Sequence, residues 1–176
     1  MTKARRITRI ALSVVLLMLG AQMAIPATPP FTLQLLCLFI ISSILSPSDA
    51  SITTLIYLFL GAVGVPIFSG FTSGFGILFG VSGGFLISFT FISSFISFFI
   101  KKFAKNFIPQ FTVFFIATLI SYLFALLWIF ITKAVDESAG SILINYVICF
   151  LPFDLLKCAV APFIIKKLER IIIIKQ

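Results

Sequence analysis

Asp154 and Lys157 are the two residues in this sequence whose type and spacing most demand an explanation. They stand inside an apolar run that extends from about Ile142 to Ile165. A charge placed deep in a membrane helix costs roughly 2.5–3.5 kcal/mol on insertion scales, so two in one helix need a compensating role. At i, i+3 the side chains share a helix face and can pair. The pair is read either as a neutral clasp between helices or, by preference, as a polar binding site facing a bundle interior. Pro152 lies two residues before Asp154 and lacks a backbone donor, which leaves a carbonyl free near that site.

Two further stretches carry polar or conformational signals. In Pro26-Ala27-Thr28-Pro29-Pro30-Phe31-Thr32-Leu33-Gln34 the prolines stiffen a short connection, and Thr32 and Gln34 open the next helix with polar groups. This run is read as a tight loop or as a rim over a cavity. Gly70, Gly74, Gly76, Gly80, Gly83 and Gly84 form the other stretch. Gly76, Gly80 and Gly84 recur every four residues, a spacing that lets membrane helices approach closely. Alternatively, Ser82-Gly83-Gly84 is a turn that offers backbone amides to a ligand. It is not a phosphate-binding loop, because no Gly-Lys-Ser/Thr follows, so any ATP-driven step needs a partner.

Other chemistries are excluded or weakened. The chain has no histidine, which removes imidazole acid–base catalysis and the commonest metal ligand. Cys37, Cys149 and Cys158 are isolated in apolar runs and form no Cys-x-x-Cys pair. The acids are Asp49, Asp136, Glu137, Asp154 and Glu169, and of these only Asp154 is read as intramembrane. No catalytic set, metal site or cofactor is expected.

These residues must be positioned by helices in a bilayer. Of 176 residues, 61% are hydrophobic and 10% charged, with mean hydropathy +1.25. A soluble domain has about 25% charged residues, and this chain has too little polar surface to cover a soluble globule. The net charge of +8 is confined to a few segments, which favours a membrane over nucleic acid as its partner. Charges punctuate the chain at Arg9, Asp49, Lys101, Lys105, Lys133, Glu137 and Asp154. A membrane-spanning helix needs about 20 apolar residues. Allowing for breaks at Pro26–Pro30 and Gly64-Val65-Pro66, the gaps predict six helices, at about 8–24, 31–46, 50–66, 77–100, 110–132 and 142–165. The expected fold is an all-α integral membrane protein, a compact six-helix bundle forming a single domain over residues 1–176.

Orientation follows from the basic residues. With the N-terminus inside, Lys3, Arg5, Arg6, Arg9, Lys101, Lys102, Lys105, Lys166, Lys167, Arg170 and Lys175 are cytoplasmic. Of the thirteen Lys and Arg residues, only Lys133 and Lys157 fall elsewhere. This predicts an even number of spans with both termini inside. Arg5, Arg6 and Arg9 before Ile10–Gly20 also suit a signal peptide, but Ala21-Gln22-Met23 is a poor cleavage site, so the segment is read as the first span. Between Phe85 and Phe99, phenylalanines interleaved with serines predict a lipid-facing helix with small polar residues on one side.

Three stretches resemble the BioY family, the biotin-binding S components of energy-coupling-factor (ECF) vitamin transporters. They are Ile25-Pro26 with Pro30-Phe31-Thr32-Leu33-Gln34; Tyr57–Phe68 continuing through the glycines to Ser82-Gly83-Gly84-Phe85-Leu86; and Leu151-Pro152-Phe153-Asp154-Leu155-Leu156-Lys157. The resemblance implies a multi-pass protein of a bacterial cytoplasmic membrane, not an enzyme. It would capture biotin near the outer face and deliver it inside, with a transmembrane coupling subunit and ATPase subunits as partners. Membrane lipid surrounds it, and homo-oligomerisation stays open. By the same resemblance Asp154, Lys157, Thr32, Gln34, Ser82, Gly83 and Gly84 line the pocket. Biotin offers two ureido N–H donors, a carbonyl and a carboxylate. Asp154 suits the donors, and Lys157 suits either the carbonyl or the carboxylate. Phe31, Tyr57 and Phe85 suit an apolar wall for the bicyclic ring. This chain has Phe153 where the family usually has glycine and Phe85 where it usually has tyrosine. Ala11 is followed four residues later by Val15, where S components often carry a second alanine. A transporter of another small vitamin or carboxylate is the alternative.

Overall fold

The computed structural model describes residues 2–26, 30–103 and 106–174, with side chains described as far as residue 168. Ala27, Thr28 and Pro29 of the proline run and the basic residues Lys105 and Lys175 therefore lie outside what is described, as does the side chain of Arg170.

Helix α1 (Lys3–Gln22) begins at Thr2, whose side chain accepts from the Arg5 amide. Its end leads into a two-stranded hairpin, β1 (Ala24–Ile25) and β2 (Phe31–Thr32), with Ala24 opposite Thr32 and Ile25 opposite Phe31. Helix α2 (Gln34–Ile44) is short, and α3 (Pro47–Ala62) follows after a sharp turn. Pro47 sits in the first helical positions, where its missing N–H costs nothing. Ser46 caps α3 by accepting from the Asp49 amide. A loop with a 3₁₀ turn at Ser69–Phe71 leads to the one-turn helix α4 (Phe75–Phe79). Then come α5 (Gly83–Phe103) and α6 (Phe107–Thr132). The last helical run is α7 (Ala139–Leu143), a π-helical turn at Ile144–Ile148, and α8 (Leu151–Ile174).

Among the described residues, α1, α2, α3, α5, α6 and the α7–α8 run form six helical bodies in one bundle. Three of them, Gly83–Phe103, Phe107–Thr132 and Ala139–Leu168, are long and apolar enough to cross a membrane. The protein is an all-α membrane protein.

Most helix boundaries depart from the sequence reading by a few residues, those of the fourth and last helices the most. The fourth long helix was expected from residue 77 but begins at Gly83, because α4 ends at Gly80 and a turn intervenes. The spaced glycines thus do not share one helix: Gly76 meets nothing, whereas Gly84 packs on α6. A Cβ on Gly84 would stand 2.6 Å from Trp128 Cβ and 2.7 Å from Ala125 Cα, so close helix contact is the reason for that glycine. The final helix starts earlier and runs further than 142–165, since Ser138 caps it by accepting from the Ser141 amide.

Apolar packing centres on Leu17, Leu38, Phe39, Ile92, Ile96, Phe114 and Ile165, with the Phe39 and Phe114 rings stacked at 4.5 Å. Along α5, Ser88, Ser93 and Ser97 are buried while Phe91 and Phe98 are exposed. The serines join neighbours: Ser88 pairs with Ser121 at 2.8 Å, Ser94 donates to the Pro47 carbonyl at 2.9 Å and Ser97 to the Leu45 carbonyl at 2.7 Å. Hydroxyls of this kind tie helices together where water is absent.

Candidate functional site

One end of the bundle encloses a cavity of about 610 Å³, within the size range of small-molecule sites. Its floor is formed by α2, α5, α6 and α8, and its rim by the hairpin and the loop before α4. The polar centre is a carboxylate with both oxygens engaged. Lys157 Nζ donates to Asp154 Oδ1 at 2.6 Å, and the Tyr122 hydroxyl donates to Oδ2 at 2.6 Å. Asp154 is 4% exposed, and the Lys157 side chain 11%. Helix α8 provides the acid and base one turn apart, and α6 provides the phenol across the interface. Charge-assisted hydrogen bonds of this type are stronger than neutral ones and fix geometry. An ammonium has three donors, so Lys157 retains N–H groups for a ligand carbonyl or carboxylate.

Gln34 supplies a second polar point. Its side chain is buried on the cavity wall beside Tyr57. The Tyr57 hydroxyl donates to the Ile67 carbonyl at 2.9 Å. Among the described residues, no group partners the Gln34 Nε2 atom within hydrogen-bonding geometry. A buried amide donor left open costs free energy until something accepts from it.

Six residues singled out from the sequence line this cavity: Asp154, Lys157, Thr32, Gln34, Ser82 and Phe85. Four are placed elsewhere. Tyr57 is fully buried behind the wall, its ring edge-on to Phe68 at 5.6 Å. Phe31 stacks on Phe150 at 4.1 Å and meets Phe153 at 4.9 Å, so it backs the wall while Phe150 faces the space. Gly83 and Gly84 are not an open turn. They begin α5 and press on Leu78 and Trp128, with no room for a Cβ. The sequence reading did not single out Gln22, Phe68, Ser121, Tyr122 or Phe150, all of which line the cavity. Ser121-Tyr122 was detectable as a polar pair within the apolar α6, whereas Gln22 lay in a segment weighed only for cleavage. Asp49, given no role in the sequence reading, is 6% exposed and accepts from Arg6 Nε at 2.6 Å.

Comparison with known proteins agrees with this architecture. A solved structure, the S-component for biotin from an ECF-type ABC transporter, superposes with a TM-score of 0.79 at 23% identity, covering 97% of this chain and 95% of that one. The probable biotin transporter BioY of Pyrococcus horikoshii is 38% identical over 71 residues, 40% of this chain and 44% of its own length. Biotin transporter BioY2 of Lactococcus lactis is 36% identical over 73 residues, 41% of this chain and 40% of that protein. Biotin transporter BioY of Thermotoga maritima is 32% identical over 68 residues, 38% of this chain and 40% of that protein. The aligned segments thus span less than half the length of these relatives. The model of the BioY family matches residues 1–173, and the chain belongs to the BioY family.

Proposed function

We propose that residues 1–176 act as one substrate-binding unit that captures biotin in this cavity from the outer side of a cytoplasmic membrane and delivers it inside. The observation that carries the reading is the buried Asp154–Lys157–Tyr122 triad on the wall of a ligand-sized cavity, in a chain matched by the BioY family model over residues 1–173. The named relatives are biotin transporters, and the structural neighbour is a biotin S-component. In this reading Lys157 donates to the ureido carbonyl or the valerate carboxylate. Gln34 donates to the other acceptor, and Asp154 takes a ureido N–H on a remaining lone pair. Phe68, Phe85, Phe89 and Phe150 offer the apolar surface.

The bundle crosses the membrane six times with both termini cytoplasmic, a reading supported by the clustering of Lys and Arg residues at one set of helix ends. The cavity then opens outward, since its rim residues Ala24, Pro26, Pro30 and Ser69–Thr72 belong to the opposite ends. Release inside is coupled to a separate transmembrane subunit with ATPases, because this chain has no phosphate-binding loop of its own.

Equilibrium binding of labelled biotin to the purified chain, wild type beside Asp154→Ala, tests the proposal. Saturable binding that is lost in a folded variant supports it. No binding by folded wild type, or equal displacement of biotin by thiamine or riboflavin, overturns the biotin assignment and favours another small vitamin or carboxylate.

A further inference from the structure

The loop between α3 and α4 covers one side of the cavity; Tyr57 of α3 holds its start through the Ile67 carbonyl, and a side chain of α1 holds its tip. Gln22, at the last turn of α1, donates from Nε2 to the carbonyls of Ile67 at 3.4 Å and Phe68 at 2.9 Å. Its Oε1 accepts from the Phe71 amide at 3.0 Å. The carboxamide is therefore engaged at both ends by backbone it does not belong to. Gln22, Phe68, Ser69, Gly70, Phe71 and Thr72 all line the cavity.

The two halves of this loop are held differently. Phe68 is inserted in the core, edge-on to Tyr57, and fills the space that Gly61 leaves open. The tip has no such anchor: the Phe71 side chain is 66% exposed. Its backbone is also in a costly conformation. Gly70 has φ +68° and Phe71 has φ +57°, the left-handed region that a bulky residue rarely adopts. Local hydrogen bonds close the turn, from the Phe68 amide to the Thr72 carbonyl and from the Thr72 hydroxyl to the Ser69 carbonyl. Neither ties the turn to another helix. A strained conformation persists only where its surroundings over-determine it, and among the described residues the bond from Phe71 to Gln22 is a tertiary contact that helps to do so.

We infer that Gln22 is a positioning residue that clasps the Ser69–Thr72 tip down over the cavity and so controls how long a captured ligand stays. The inference rests on the cavity being the biotin site, and it adds the residue that sets retention. Gln22 acts through the loop, because its carboxamide is already committed to backbone groups. Opening requires those bonds to break, after which the tip can relax out of its left-handed geometry while Phe68 stays anchored.

The test compares wild type, Gln22→Ala and Gln22→Glu in two measurements. Hydrogen exchange of the peptide spanning residues 67–74, without ligand, reads the clasp. The dissociation rate of labelled biotin reads its consequence. Gln22→Ala is expected to speed exchange at Phe71 and to raise the dissociation rate roughly tenfold, since several hydrogen bonds of modest net worth are lost together. Gln22→Glu keeps an acceptor for the Phe71 amide and loses both donors to the carbonyls, so it should fall between. Faster exchange with an unchanged dissociation rate overturns the retention role, and unchanged exchange overturns the clasp itself. If folded wild type binds no biotin, the proposed function has failed. The exchange arm then still decides whether Gln22 holds the loop.

Discussion

The two ends of this bundle each bury a carboxylate paired with a base, and the pairs are built differently. At the end away from the cavity Asp49 sits in the first turn of α3, capped by Ser46 and bonded to Arg6, whose side chain is 50% exposed. At the cavity end Asp154 and Lys157 are both nearly buried, and Tyr122 takes up the second carboxylate oxygen. The first pair joins α1 to α3 beside water, with the positive end of a helix dipole favouring its acid. The second stands in a low-dielectric wall, where removing either partner strands a charge. A buried ion pair alone therefore does not mark a site. Both members being out of water, with donors left over and a cavity in front of them, is what separates the candidate site from a clasp.

The largest effect should come from stranding a charge. Asp154→Ala leaves Lys157 buried without its partner, a loss of roughly 3–5 kcal/mol for a pair of this kind. Biotin binding by the molecules that remain folded should fall by about a hundredfold or more, measured by titration alongside a thermal melt. A variant that melts earlier yet binds normally would reassign the pair to structure and erase the contrast between the two ends. Gly61→Ala should come next. The added Cβ would meet the Phe68 ring at 2.1 Å, so the ring must leave its slot. Overpacking of this sort costs about 1–3 kcal/mol. Because Phe68 also lines the cavity, affinity and melting temperature should fall together, and a melt shift without an affinity change would separate the roof from the site. Tyr122→Phe leaves the packing intact and acts mainly on binding. It removes one hydrogen bond to a charged acceptor, worth about 1.5–3 kcal/mol, and should weaken binding by about tenfold or somewhat more with a smaller effect on melting.

The uneven legibility of the sequence has a physical basis. The all-α membrane character follows from apolar runs and charge gaps, because the cost of a charge in lipid is large and local. Asp154 and Lys157 stood out for the same reason. Residues whose roles depend on distant partners did not. Gln22 is one polar residue near a helix end, and only folding brings it to Ile67, Phe68 and Phe71. Tyr57 and Phe31 are aromatic residues near the right segments, yet nothing in their spacing says whether the ring faces the cavity or backs the wall. Gly83 and Gly84 were open to two readings, and the identity of the neighbour decided for packing: Trp128 lies on another helix, far along the chain.

The smallest predicted effect sharpens the comparison most, because it asks whether the Arg6–Asp49 pair is silent in binding. Arg6→Gln removes the positive partner of Asp49 and retains a side chain able to donate a hydrogen bond. Asp49 keeps its place in the first turn of α3, where the helix N-terminus and the Arg9 charge still favour its ionised form. With Arg6 half in water, the pair lies closer to surface ion pairs than to fully buried ones, and its loss should cost about 1 kcal/mol or less. The expected result is a melting temperature lowered by a few degrees at low salt. That difference should shrink as salt screens the exposed guanidinium in the wild type. Biotin affinity per folded molecule should not change. If Arg6→Gln weakened biotin binding as much as Tyr122→Phe does, the two ends would be coupled through the bundle. The Arg6–Asp49 pair would then take part in ligand binding rather than act only as a clasp.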